Sequence, residues 1–268
     1  MKFSKLSRIV GVLALTAALA LAAAPGRAEM YVEAYLGGNF PGSASDAISG
    51  TWADAGQTGP FNFYSRGHMD PAVMGGLKIG TWFVKEGFLG MNYPAWMKYL
   101  GFYLDFSYHR LDFRRGTGLW VNPTVPESFM DTFFSEGTAA TLAFMFAARY
   151  GFLPDSEVPF GRLQPYLAVG PAILFSSQRL AFFNVPGTAL WGLQAPSQSS
   201  TDIALAVEAG LRWMALKNVS LDASFKYRYA TPSYSYPGLI GTMGGVESVT
   251  FSPTYNLFSF QVGAAYHF

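Results

Sequence analysis

Large apolar side chains occupy every second position in eight segments of this chain. The C-terminal segment FSFQVGAAYHF is an example, because Phe258, Phe260 and Val262 alternate with a serine, a glutamine and a glycine. Successive side chains of a β-strand point to opposite faces, so each segment has one apolar face and one small or polar face. The pattern predicts strands at residues 30–40, 72–83, 99–109, 139–150, 164–175, 202–214, 219–229 and 258–268.

The charged residues of these strands fall on the face opposite the apolar one. Four are acidic and five are basic: Glu33, Lys78, Asp105, Arg149, Glu208, Arg212, Asp222, Lys226 and Arg228. The apolar face extends over about 9–11 residues, the length of a tilted strand that spans a membrane. A soluble sandwich or lipocalin also alternates. The long apolar face favours an all-β fold, an eight-stranded antiparallel transmembrane up-and-down β-barrel.

Long and short connections alternate between the predicted strands. The long ones, rich in glycine, proline, serine and threonine, are residues 41–71, 114–136, 176–201 and 231–254; the shorter ones are 87–98, 151–163 and 215–218. Outer-membrane barrels have short periplasmic turns and long extracellular loops, so this order predicts a periplasmic N-terminus.

Aromatic residues mark both the loops and the strand ends. Those in two long loops either contact a partner or pack over the barrel mouth as a lid: Trp52, Phe61, Phe63, Tyr64, Phe182, Phe183 and Trp191. Those near strand ends predict two girdles at the membrane interfaces: Phe40, Trp96, Tyr99, Phe113, Phe152, Tyr166, Trp213, Tyr229, Tyr255 and Phe268.

The N-terminus has the order of a secretory signal peptide. Three basic residues precede an apolar run over residues 9–24, and the small residues Gly26 and Ala28 follow. The run is shorter than the roughly 20 residues of a spanning helix. We predict a signal peptide at residues 1–28, cleaved after Ala28, and one outer-membrane β-barrel domain at residues 29–268.

Composition excludes several other classes of protein. Residues 1–28 carry four of the 18 basic residues and none of the 17 acidic ones, which leaves a mature net charge of −3. This charge does not suggest a nucleic-acid partner. The chain has no cysteine, which excludes a disulfide, a thiol nucleophile and an iron–sulfur site.

The charges also predict how neighbouring strands pair. The expected facing pairs are Arg212 with Asp222, Glu208 with Lys226, and Lys78 with Asp105. Opposite charges on facing residues are favourable, and a slip of one residue would turn them toward lipid. Because buried charges need partners, we expect a network that plugs the barrel. An ion or solute path through the lumen is the alternative.

Candidate chemistry is sparse. The three histidines, His68, His109 and His267, lie in different parts of the predicted barrel. We find no metalloprotease, serine-hydrolase or phosphate-binding motif. His109 with Asp112 could form a base, but a plain hydrogen-bonding role is favoured. We therefore predict no catalytic, cofactor-binding or metal-binding residues.

Four segments, MYVEAYLGGNF, QPYLAVGPAILF, VEAGLRWMALKNVSLDASFKYRY and FQVGAAYHF, together resemble the small outer-membrane β-barrels of the OmpA-like, opacity-protein type. The resemblance implies that the terminal strand, with Tyr266 and Phe268, is the signal read by the barrel-assembly machinery. The sequence stops at the eighth strand, so the peptidoglycan-binding domain of full-length OmpA-type proteins is not expected.

These observations predict a protein of the Gram-negative outer membrane with a structural or surface-interaction role. Its expected surroundings are the lipid bilayer and lipopolysaccharide, and its loops would bind an extracellular protein or glycan. A narrow porin-like channel for small solutes is the second hypothesis, and a lipid-modifying enzyme is the third. For the third, a histidine, a serine and an acid should converge at one rim of the barrel.

Overall fold

The structure is a computed structural model that describes residues 29–42, 44–54, 57–84, 93–121, 128–184, 192–241 and 244–268. These contain fourteen strands: β1 (Glu29–Pro41), β2 (Ala44–Asp54), β3 (Gln57–Gly67), β4 (Ala72–Trp82), β5 (Leu100–Arg110), β6 (Phe113–Val121), β7 (Ser128–Arg149), β8 (Leu163–Asn184), β9 (Gly192–Gln194), β10 (Gln198–Met214), β11 (Val219–Ala230), β12 (Tyr234–Gly241), β13 (Gly244–Phe251) and β14 (Tyr255–His267). A short 3-10 helix (Ala95–Tyr99) precedes β5. The predicted signal peptide lies outside the described residues. None of the helices in these ranges is long and apolar enough to cross a membrane.

Eight of the strands close into a barrel. The order around it is β1-β4-β5-β7-β8-β10-β11-β14, and β14 pairs again with β1. Every neighbouring pair is antiparallel. The predicted eight-stranded barrel is therefore confirmed, and each predicted strand lies within one of these eight or extends past it by a residue or two.

The barrel wall separates an apolar outside from a polar inside. Its outward side chains are exposed aliphatic and aromatic groups, among them Leu36, Val73, Leu167, Ile203 and Phe260. Inward positions on the same strands are buried, small or polar. The alternation in the sequence is thus the alternation of the pleat, and all eight strands keep the register that turns their apolar side outward.

A second storey of sheet rises from one end of the barrel, which we call the upper end. Strands β7 and β8 each run for 22 residues, about twice the length that crosses a membrane. The other strands of this storey continue the sheet from β7 in the order β6, β3, β2, β13 and β12, and β9 pairs with the top of β8. The segments predicted as long loops are therefore largely strands, because they carry alternating apolar residues as well as turn formers.

Aromatic side chains fill the inside of this upper storey. Phe133 lies within 6.2 Å, centroid to centroid, of the rings of Phe63, Phe113, Phe182 and Phe251. All five are buried. The loop aromatics Phe61, Phe63 and Phe182 thus pack as a lid, which is one of the two predicted alternatives, whereas Tyr64 is exposed. The side chains of Trp52, Phe183 and Trp191 lie outside the described part of the chain.

Tyrosines of β12 tie the upper storey to β8. Tyr234 donates a hydrogen bond to Ser176 Oγ at 2.6 Å, and Tyr236 donates one to the carbonyl of Gln178 at 3.0 Å. Burial raises the pKa of Tyr234 to about 12. The hydroxyl therefore stays protonated, and remains a donor, to higher pH than that of a free tyrosine.

The predicted aromatic girdles are only partly right. Phe40, Trp96, Phe152, Trp213, Tyr229 and Phe268 are exposed on the outside of the wall or its turns. Phe113, Tyr166 and Tyr255 are instead buried in the interior. Position near a strand end does not decide whether an aromatic side chain is exposed. The side of the pleat to which the residue belongs decides it, because successive side chains point to opposite faces.

Asp155 holds the turn between β7 and β8 at the lower end. Its carboxylate accepts hydrogen bonds from the N–H groups of Val158 (2.7 Å) and Glu157 (2.9 Å) and pairs with Arg162. These contacts, the Val158 N–H above all, hold the pKa of Asp155 below its usual range. The carboxylate therefore stays ionised to lower pH in the folded turn than in an unfolded chain.

Two adjacent glycines of β4 differ in what a side chain would meet. A Cβ on Gly76 would lie 2.3 Å from both the Phe106 carbonyl oxygen and the Tyr35 hydroxyl, inside the barrel. A Cβ on Gly75 points outward, and its nearest contact is Leu36 Cδ2 at 3.3 Å.

We expect Gly76→Ala to lower the free energy of unfolding by about 1–3 kcal/mol, because it overpacks the wall against Tyr35. Gly75→Ala is the matched control and should change it by less than about 0.5 kcal/mol. Urea unfolding of protein refolded into lipid vesicles measures both. Equal effects would contradict the inward placement of Gly76.

Candidate functional site: the charged lumen

The candidate site is the interior of the eight-stranded barrel. The structure places all nine charged residues named from the sequence in this interior, and none is more than 4% exposed. Six of the eight barrel strands supply them. The site is therefore assembled only when the barrel closes.

The predicted registers are confirmed. Arg212 faces Asp222 and Glu208 faces Lys226 across β10 and β11. Lys78 faces Asp105 across β4 and β5. Each of these facing pairs has both side chains directed into the lumen.

Two close ion pairs also run across the lumen rather than along the wall. Lys78 Nζ lies 2.7 Å from Glu208 Oε1, which joins β4 to β10. Arg212 Nη2 lies 2.6 Å from Glu33 Oε2, which joins β10 to β1. The long side chains allow both kinds of contact, since Lys78 Nζ also lies 2.9 Å from Oε1 of Glu33, which it faces on β1, and Arg212 Nε lies 3.3 Å from Oδ2 of its facing Asp222.

Lys226 connects two acids from different walls. It pairs with Asp105 on β5, which faces Lys78 in the sheet. It also lies 3.3 Å from Glu208 Oε2, its facing partner. One lysine thus links β11 with β5 and β10.

Three tyrosines donate hydrogen bonds to Asp105 and Glu208 in this network. Tyr35 donates to Asp105 at 2.5 Å. Tyr103 donates to Glu208 Oε2 at 3.2 Å, and Tyr166 donates to Glu208 Oε1 at 2.7 Å. The sequence analysis did not include these tyrosines in the network. They could have been found, because they lie on the same inward face of their strands as the charged residues.

Arg149 forms the floor of the network at the lower end. Its guanidinium binds both carboxylate oxygens of Glu29 at 2.5 Å. It is also stacked between two rings, with Cζ 4.1 Å from the Trp82 centroid and 4.2 Å from the Phe160 centroid. Glu29 was also missed, because it is the first residue after the predicted cleavage site.

Arg228 forms the ceiling, and its neighbours are neutral. Its terminal nitrogens donate to Ser107 (3.1 Å), Ser259 (2.9 Å) and the side-chain oxygen of Asn39 (3.1 Å). With Glu29 included, five acids and five bases occupy the lumen, so the Arg228 charge balances the acids below it.

The histidines take separate roles. His109 Nδ1 donates to the Arg110 carbonyl at 2.8 Å. Asp112 instead accepts from the Gly137 N–H at 3.0 Å, so the two do not form the pair considered from the sequence. No group of three or more potential metal ligands occurs in the described ranges.

A serine–histidine contact lies near the floor. Ser220 Oγ and His267 Nε2 are 2.8 Å apart. Both residues are buried, and the nearby Glu29 carboxylate is bound to Arg149. A nucleophile needs access to substrate and a third group that orients its base. Within the described residues, Nδ1 of His267 has no such partner.

The two residues proposed as an assembly signal lie on the outside of the wall. Tyr266 and Phe268 are both exposed, and their rings are 5.2 Å apart. The Phe268 N–H donates to the Met30 carbonyl at 2.9 Å, so this residue extends the pairing of β14 with β1 at the lower end of the barrel.

Comparison with known proteins identifies the family. The family described as "Outer membrane protein beta-barrel domain" matches residues 11–268. A comparison with curated protein sequences gives no match.

Several solved structures are similar to this chain at low identity. The outer membrane protein OprG from Pseudomonas aeruginosa is 15% identical, with 90% of this chain and 97% of that chain covered and a TM-score of 0.46. A major outer membrane protein from Thermus thermophilus is 13% identical, with 88% and 99% covered and a TM-score of 0.44. Ail of Yersinia pestis, solved with the heparin analogue sucrose octasulfate, is 15% identical, with 90% and 99% covered and a TM-score of 0.34.

We expect Lys226→Met to lower the free energy of unfolding by about 3–5 kcal/mol, because it leaves Asp105 and Glu208 short of a buried cation. Lys98→Met, which removes an exposed lysine beside the Tyr99 ring, should cost less than about 1 kcal/mol. Urea unfolding in vesicles measures both variants.

Adding Asp105→Asn to Lys226→Met removes one of the two carboxylates that lost their cation, and it should restore part of the lost stability. A double variant less stable than Lys226→Met alone would contradict the assigned pairing.

Proposed function

Because this chain belongs to the outer membrane protein β-barrel family and lies in the bacterial outer membrane, we propose that it is a closed barrel that displays an interaction surface. In this proposal the lumen conducts no solute. The walls of the upper storey, which we orient toward the outside of the cell, bind a partner.

One observation carries the first half of the proposal. The lumen is crossed by ion pairs from opposite walls, Lys78 with Glu208 and Arg212 with Glu33, and these groups are fully buried. An eight-stranded barrel is only wide enough for its side chains or one small ligand. A hydrated ion would have to separate these pairs, and breaking a buried pair is costly.

An exposed apolar patch supports the second half. Tyr64, Leu119 and Met130 are facing neighbours on β3, β6 and β7, and they are 61%, 38% and 54% exposed. Between this patch and the barrel, outward-facing Glu136 and Arg179 face each other. Met130 lies six residues beyond Glu136, about 20 Å along the strand.

The position of the patch argues for a protein partner. The outward charges of Glu136 and Arg179, which we call the charged band, lie between it and the apolar belt, so hydrocarbon is not its natural neighbour. Contiguous exposed apolar side chains rimmed by polar ones are typical of protein–protein contacts. We therefore propose an extracellular protein as the partner, with a glycan as the alternative.

The location suggests two further partners. Lipopolysaccharide would surround the outward charged band, and the barrel-assembly machinery would read the terminal strand with Tyr266 and Phe268 as its signal. A lipid-modifying activity has weaker support, because Ser220 is fully buried and the Glu29 carboxylate is bound to Arg149.

We expect purified, refolded protein to be silent in planar bilayers, because the ion pairs occupy the lumen. Folding is verified by the mobility shift between heated and unheated protein on electrophoresis. A stable conductance that changes in Arg149→Ala, at the floor of the lumen, would overturn the closed-barrel proposal. Arg162→Ala, in the exposed turn, is the control that should not alter it.

We expect a photoreactive amino acid at position 64 to form a protein adduct on intact cells, because Tyr64 lies in the proposed contact patch. The same probe at Thr58, exposed on the same face of β3, should form none. Leu119→Ser with Met130→Ser should remove the adduct. An adduct that resists protease but not glycosidase would indicate the glycan, and equal adducts at both positions would reject the patch.

A further inference from the structure

A groove interrupts the apolar belt on one side of the barrel. It crosses β4, β1, β14, β11 and β10 and has a volume of about 880 Å³. Small residues make its floor: Ala34, Gly75, Ala223, Gly263 and Ala264. Ringed by larger side chains, these small residues make this part of the wall concave.

The registers of the sheet explain the depression. Ala34 and Ala264 face each other on β1 and β14, and Ala264 also faces Leu221 on β11. One layer higher, Leu36 faces Val262. The two alanines therefore lie side by side below a ridge of larger side chains, which leaves a trough.

The rim of the groove is bulky and faces the membrane. Trp213, Leu221 and Leu211 stand along one side and Leu36 along the other, and all four are exposed. Because the groove is continuous with the lipid-facing surface of the barrel, its neighbours are acyl chains. A chain seated in the trough gains contacts on three sides, and dispersion contacts rather than the hydrophobic effect favour association inside a membrane.

Polar groups lie directly beneath the groove. Tyr266 lies two residues below Ala264 on the same face, and Asn218 Nδ2 donates to its hydroxyl at 3.5 Å. Lys217, in the same exposed turn between β10 and β11, adds a positive charge. A phosphate headgroup at this level would meet one cation and two hydrogen-bonding side chains.

We propose that this groove binds one phospholipid of the periplasmic leaflet, with an acyl chain over Ala34 and Ala264 and the phosphate beside Lys217. The height of the groove above the lower end of the barrel assigns it to one leaflet of the membrane. Ala264 lies three residues above the lower end of β14, about 10 Å along the strand. With the predicted periplasmic position of that end, the groove lies in the inner half of the bilayer, whose lipid is phospholipid.

Native mass spectrometry of delipidated, refolded protein in detergent, titrated with dioleoylphosphatidylethanolamine, tests this site. We expect a one-to-one adduct at low lipid concentration. Ala34→Leu with Ala264→Leu fills the trough and should weaken the adduct at least about fivefold. Lys217→Glu leaves the trough intact and should weaken it about fivefold through the headgroup.

The control is Ala140→Leu with Ala148→Leu, two outward positions on β7, on the opposite wall. It should bind lipid as the unaltered protein does. Equal loss in the control would mean general annular lipid and would overturn the proposal, as would an unaltered adduct in the Ala34→Leu, Ala264→Leu variant. Preferred binding of lipid A over the phospholipid would also overturn it.

Discussion

A charge inside a narrow barrel must have an opposite charge or several hydrogen-bonding groups within reach, because water cannot solvate it there. This constraint organises the interior. Glu33, Asp105 and Glu208 each bind a cation from another strand of the barrel, and tyrosines take up remaining acceptor positions. The same pairs couple the opposite walls, so closure of the sheet and neutralisation of the lumen occur together.

The interior changes character along the axis of the molecule. The floor and middle hold ion pairs, the ceiling at Arg228 holds neutral hydrogen-bonding groups, and the upper storey holds an aromatic core around Phe133. The upper storey is thus stabilised like a soluble domain, by apolar burial. This explains how strands can continue far beyond the length that a membrane requires.

The outside of the wall changes in the same direction. Apolar side chains give way to a band of outward charges and then to the patch of Tyr64, Leu119 and Met130. Families of this fold host unrelated functions. The proposed role of the chain therefore rests on its surfaces: the crossed lumen, the upper patch that we propose binds a protein, and the lower groove that we propose binds a lipid chain.

The alternation of residues alone determined the eight barrel strands, their inward and outward faces and the nine inward charges, because a pleated strand between lipid and lumen leaves little choice of parity. It also determined the facing of Arg212 with Asp222, since a short turn sets the register of a hairpin. Pairing across the lumen depends on which walls closure brings opposite one another. Only the tertiary structure therefore decided that Lys78 binds Glu208, that Glu29 and three tyrosines join the network, and that the long connections form a second storey.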